Sequence, residues 1–202
     1  LAVLPESLPL RSQAASTLTD SVQQAGQLLA LAQQSGDPRY LGYAESRLNH
    51  WLQQPVVAAD VLLMRARIRQ FNHQFDAALS DLAQVLQRQP ADAGALLLVA
   101  SIHQLRADYG PALASCRRLR NFDTLTLALI CEAGIDAVNG RAVQAENTLQ
   151  RLLPVVASLE LGQQDWFYLI YGDLLLRQGR LAQAESYYRR LDRNHPVALA
   201  AL

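Results

Sequence analysis

Apolar and polar positions follow a helical period along this chain, in blocks separated by short polar turns. Over 17–34, Val22, Ala25, Leu28, Leu29 and Ala32 fall at helical spacing, and Ser35-Gly36-Asp37-Pro38 ends the block. The same reasoning predicts helices over 40–52 and 58–71, and from Phe75 to the stop at Gln89-Pro90. It predicts further helices over 93–105, 109–119, 123–138, 142–153, 165–178 and 181–193. Turns fall at Asn72-His73-Gln74, Arg106-Ala107-Asp108, Asn139-Gly140-Arg141 and Gly179-Arg180. Extra residues around 154–164 predict a longer helix or a larger loop. Residues 1–16 carry Pro5 and Pro9 without a period and read as an extended arm before a single domain at 17–202. No alternating β-branched run bounded by hairpin turns occurs, so strands are not expected.

The helices come in pairs with a shared signature. Ala44, Ala78, Ala112, Ala145 and Ala184 stand 34, 34, 33 and 39 residues apart. Four residues after each comes a bulkier side chain: Leu48, Leu82, Cys116, Leu149 and Tyr188. Twelve residues before each stands a small one: Ala32, Ala66, Ala100, Ala133 and Gly172. Two helices joined by a short turn approach closely only where side chains are small, and residues one turn along the same face then fill the groove against the next pair. A single hairpin cannot bury its apolar surface, but a stack can, and a period near 34 marks such a stack. The expected fold is therefore all-α, an α-α superhelix of about five helix hairpins.

The pattern resembles the tetratricopeptide repeat. Leu62, Ala66, Phe75, Ala78, Leu82, Val85 and Pro90 carry the resemblance in one unit, and Leu96, Ala100, Tyr109, Ala112, Cys116 and Leu119 in the next. Tyr168, Gly172, Leu181, Ala184, Tyr188, Leu191 and Pro196 carry it again near the end. Arg69, His103 and Asp136 stand where the family often has Tyr or Leu, and Glu132 takes an often-apolar place, so the fourth unit reads as degenerate. The early turn at Gly36-Asp37 points to a distorted first hairpin.

The resemblance implies a binding module without catalytic function, in which the first helix of each unit lines a concave groove for a peptide or protein segment. By position the groove residues are Asp60, Leu63, Arg67, Gln70 and Phe71, then Leu97, Ser101, Gln104 and Leu105. Leu127, Ile130 and Gly134 follow, then Trp166, Leu169, Asp173 and Arg177. Members that clamp a terminal carboxylate use a Lys and Asn constellation. This chain has no Lys, and apolar or small residues stand in those places, which excludes that partner class. The alternative role is a structural scaffold acting through self-association or its outer face.

Half of the residues are hydrophobic and 18% are charged, which supplies a substantial core and argues against disorder. Formal net charge is zero, so no bulk attraction to nucleic acid or anionic membrane is expected. No apolar run is long enough to span a membrane. The chain opens on Leu1, and 197–202 after Pro196 reads as the first turns of another helix, so the expectation is a piece of a longer protein.

Cys116 and Cys131 are the only cysteines, on consecutive helices. They fit either a disulfide, which would suit an oxidising compartment, or two small residues packed between repeats. No His or Cys spacing supplies a metal site, and no His stands with an acid and a nucleophile, so neither catalysis nor a cofactor is expected. Arg117-Arg118-Leu119-Arg120 and Arg189-Arg190-Leu191-Asp192-Arg193 read as solvated helix faces or, alternatively, as an anion site. The composition, rich in Arg, Gln, Ala and Leu without Lys, points to a bacterium, and the two cysteines to a periplasmic or otherwise exported protein, with the cytoplasm as the alternative.

Overall fold

A computed structural model of the protein describes residues 17–121 and 124–191. The arm at 1–16, the end of the last helix at 192–193, His195 and the helix start at 197–202 lie outside the described residues. Among the described residues there are ten α-helices and no strand. They are α1 (Leu18–Ser35), α2 (Arg39–Leu52), α3 (Ala59–Phe71), α4 (Phe75–Arg88), α5 (Ala93–Leu105), α6 (Tyr109–Leu119), α7 (Leu125–Val138), α8 (Ala142–Val156), α9 (Leu161–Arg177) and α10 (Leu181–Tyr188).

Local chemistry sets several of these boundaries. The Thr17 hydroxyl accepts the Asp20 N–H at 3.1 Å while the Asp20 carboxylate accepts the Thr17 N–H at 3.2 Å, a reciprocal cap that opens α1. Asp92 caps α5 by accepting the Ala95 N–H at 2.7 Å. In four hairpins the turn between helices is three residues long, and its middle residue is left-handed: His73, Ala107, Gly140 and Gly179, with φ of 57°, 60°, 74° and 75°. The next N–H then reaches back five residues, from Gln74 to Arg69, Asp108 to His103, Arg141 to Asp136 and Arg180 to Leu175, at 2.8–3.0 Å. This geometry satisfies carbonyls that a helix end otherwise leaves unpaired. In the first hairpin the left-handed residue is Gly36, one place earlier, and Pro38 leads into α2. That turn departs from the other four as its sequence indicates, yet α1 and α2 still pack along one another.

The small residues meet as the spacing predicts. Ala32, Ala44, Ala66, Ala78, Ala100, Ala112, Ala133, Ala145 and Ala184 are all buried, as is Gly172. The residues around 154–164 are absorbed by longer helices: α8 runs through Pro154 to Val156, and α9 starts at Leu161. The first helices α1, α3, α5, α7 and α9 pack on one another in sequence, and no comparable row joins α2, α4, α6, α8 and α10 among the described residues. Closer spacing of the first helices puts them on the inside of the curve.

Positions that break the apolar pattern hold ion pairs. Arg65 and Arg69 on α3 both donate to Asp81 on α4, at 2.6 Å each for their closest contacts, and Asp81 is almost wholly buried. Arg120 donates through Nε and Nη2 to Glu132, both at 2.7 Å, and Arg141 pairs with Asp136 at 2.6 Å. The fourth unit is thus an intact hairpin of α7 and α8, with its charged positions satisfied by partners across turns and units.

Candidate functional site

A hollow of about 430 Å³ lies along the inside of the curve, between α3, α5, α7 and α9. Successive turns of α5 contribute Leu97, Ser101 and Gln104, and successive turns of α9 contribute Trp166, Leu169, Asp173 and Arg177. This is the spacing that keeps side chains on one helical face. Arg67 enters from α3. The α7 wall consists of Cys131, Gly134, Ala137 and Val138. The floor is mainly apolar, and the polar groups stand on its walls.

Of the groove residues expected from the sequence, Arg67, Leu97, Ser101, Gln104, Gly134, Trp166, Leu169, Asp173 and Arg177 line this hollow. Four others do not. Ile130 is completely buried in the core with Leu149, Phe167 and Tyr171. The wall begins one residue later, at Cys131, and one step along a helix turns a side chain by about 100°. Phe71 packs on the first core cluster with Trp51 and Val57, and Gln70 lies outside the lining, because α3 gives the hollow only Arg67. Leu63 is half-buried against the core of α3 and α4, next to Gly94 at the edge of the hollow. Leu105 is exposed outside the lining.

Two glycines let neighbouring side chains pack close at the floor. A β-carbon at Gly134 would stand 3.1 Å from Ile170 Cδ1, and one at Gly94 would stand 3.6 Å from Arg67 Nη2. Asp173 accepts the Tyr188 hydroxyl at 2.6 Å. Burial, then this hydrogen bond and the Asp173 charge, push the Tyr188 phenol well above the usual tyrosine range, with Arg177 opposing. Behind the α9 wall, Glu146 receives Arg180 at 2.5 Å, and that contact, against a burial effect of opposite sign, holds its carboxyl below the usual range.

The cysteines stand at the junction of the third and fourth hairpins. Cys116 on α6 is bonded to Cys131 on α7, with Cα atoms 5.6 Å apart. Of the two basic clusters, Arg118 donates to the Pro90 carbonyl and Arg120 to Glu132. Arg189 pairs with Glu185, and Arg190 lies over the rings of Tyr168 and Tyr187. The buried Nδ1 of His103 stands 3.6 Å from an Asp108 oxygen and lies away from the hollow.

Sequence reasoning missed a second hollow, of about 420 Å³, formed by Leu18, Trp51, Gln54, Pro55, Val56 and Ala58 at the first hairpin. Its only sequence signal is the apolar run after Pro55, which breaks the repeat. Among the described residues no group of His, Cys, Asp and Glu is arranged to hold a metal ion. No helix among them is long and apolar enough to cross a membrane.

Stacked helix hairpins with small residues at the crossings, and a hollow along the first helices, define a helical-repeat protein. A family model described as a tetratricopeptide repeat matches residues 63–124 and 139–198, and the chain belongs to that family. The interval between the two matched stretches is α7, the helix that carries Glu132 and Asp136. No curated protein and no solved structure matches the chain. Repeats of this family mediate contacts between proteins.

Proposed function

We propose that the chain is a non-catalytic interaction module that takes a segment of another protein into the hollow of its first helices. The carrying observation is the hollow itself: about 430 Å³, apolar below, with Arg67, Ser101, Gln104, Asp173 and Arg177 on its walls. Apolar contact supplies affinity in such a site, and a few placed polar groups set register and orientation. Trp166, half-buried on the α9 wall, is the side chain best suited to anchor the guest.

Capture of binding proteins from the source organism, compared between wild type, Trp166→Ala and Phe71→Ala, tests this. Phe71 packs away from the hollow, so its truncation controls for general damage. Trp166→Ala is expected to lose the captured protein and Phe71→Ala to keep it. Equal capture by wild type and Trp166→Ala sinks the proposal.

The Cys116–Cys131 bond supports placing the protein in an oxidising compartment, which for a bacterium is the periplasm. Counting reactive thiols in protein denatured without reductant checks this. Two thiols would remove the argument.

A further inference from the structure

Among the described residues, two cations stand at the hollow without a counter-charge. Arg65 and Arg69 pair with Asp81, Arg106 with Asp76, Arg120 with Glu132, Arg141 with Asp136, Arg180 with Glu146 and Arg189 with Glu185. Arg67 and Arg177 form no ion pair or hydrogen bond with any other described residue, and both are exposed. The one carboxylate of the wall, Asp173, already accepts the Tyr188 hydroxyl. The lining therefore carries two positive groups against one engaged negative group, in a chain whose formal net charge is zero.

The two arginines also stand apart. Arg67 is on α3 and Arg177 on α9, with α5 and α7 between them, so they flank the apolar floor from opposite ends. Three helix-to-helix steps of about 9 Å put the ends of this row at most about 27 Å apart. An extended segment of about eight residues spans that length. Leu97 on α5 lies between them, and Leu169 and Trp166 stand on earlier turns of α9, the helix that ends in Arg177.

We infer that the guest is a protein segment with bulky apolar side chains at its centre and carboxylates on both flanks. The apolar centre sits on Leu97, Leu169 and Trp166, while the flanking carboxylates meet Arg67 at one end and Arg177 at the other. A guanidinium presents a planar fork that matches a carboxylate with two parallel hydrogen bonds. This inference rests on the reading of the hollow as a docking groove and adds the chemistry of its occupant.

Fluorescence anisotropy with four labelled decapeptides tests it. Three share a Leu-Phe-Leu centre, with Asp/Glu flanks, Lys flanks or Ser/Gly flanks, and the fourth has Asp/Glu flanks around a Ser/Gly centre. The acidic peptide with the apolar centre is expected to bind about tenfold tighter than the Ser/Gly-flanked one, and to weaken as salt rises. Arg67→Glu and Arg177→Glu are each expected to weaken it about fivefold, the scale of one exposed ion pair. Both side chains are exposed, so these changes leave the core intact, and thermal melting checks that.

Equal binding of acidic and Ser/Gly flanks, tighter binding of Lys flanks, or no response to either Arg variant overturns the inference. If the Ser/Gly-flanked peptide binds in a Trp166-dependent way and the Arg variants change nothing, the groove reading stands and its acidic occupant falls. Should none of the apolar-centred peptides bind, or should Trp166→Ala leave all of them bound, both readings fall together.

Discussion

The ring of Tyr188 fills the space into which a side chain at Gly172 would grow. A β-carbon there would stand 2.5 Å from Cε1 and 2.8 Å from Cδ1 of that ring. In the hairpins that carry Ala32, Ala66 and Ala133 at the equivalent place, the facing residue is Leu48, Leu82 or Leu149. The larger partner on α10 thus goes with the smaller residue on α9.

Gly172→Ala is expected to destabilise the protein by about 2 kcal/mol, the usual scale for one group forced into a filled core. In a Tyr188→Leu background, which recreates the pairing of the other hairpins, most of that cost should disappear. Denaturant melts of the two single variants and the double variant measure the coupling. Additive losses would mean that the ring and the glycine do not depend on one another.

Tyr188 also sets a pH response. Its phenol is held in the neutral form by burial and by the hydrogen bond to Asp173. A folded-state pKa above the unfolded value gives stability that is present below about pH 10 and lost as pH rises further. The melting temperature of the wild type should therefore fall more steeply above about pH 10 than that of Tyr188→Phe. Parallel alkaline profiles would contradict this.

At the third hairpin turn, Ala107 sits at φ 60°, where Gly140 and Gly179 serve the two later turns. An L-residue with a β-carbon is strained there, by about 1–2 kcal/mol. Part of the gain from relieving that strain is offset by the greater freedom glycine brings to the unfolded chain. Ala107→Gly should stabilise the protein by about 0.5–1 kcal/mol, raising its melting temperature by about 2 °C. A lower melting temperature would show that this turn tolerates alanine without strain.

The bond between Cys116 and Cys131 closes a loop of 15 residues. Removing such a constraint from the unfolded chain costs about 3 kcal/mol in the chain-entropy account. Cys116→Ala combined with Cys131→Ala should lose stability on that scale in denaturant melts, as should reduced wild type. Hydrogen exchange should show the loss concentrated in α6 and α7, because each unit of a stack touches only its neighbours. Unaltered exchange in α6 and α7 would count against a structural role for the bond.

Repeat arithmetic made the hairpins legible from sequence, because close helix crossings leave small residues at fixed intervals. Ala66 with Ala78 and Ala100 with Ala112 are such crossings, and both pairs are buried. Longer-range placement was harder to read. Repeat spacing carries Leu97 to Ile130, but α7 presents Cys131 to the hollow and sends Ile130 into the core. Spacing along the chain fixes which helix a residue joins but not the rotation of that helix, which depends on tertiary packing. His73 and Ala107 hide left-handed turns for a related reason: neither residue announces that conformation as Gly140 and Gly179 do. Arg69, Asp136 and Glu132 broke the apolar pattern, and their partners Asp81, Arg141 and Arg120 stand on neighbouring helices or turns. A one-dimensional pattern does not announce such pairings.

Under tension applied at its two ends, the chain would not unravel uniformly. The cross-link between α6 and α7 shields residues 117–130, which lie between its cysteines, from load, shortening the fully drawn chain by about 45 Å. However far the flanks are drawn out, the last turn of α6 and the first half of α7 stay inside a covalently closed loop that carries no load.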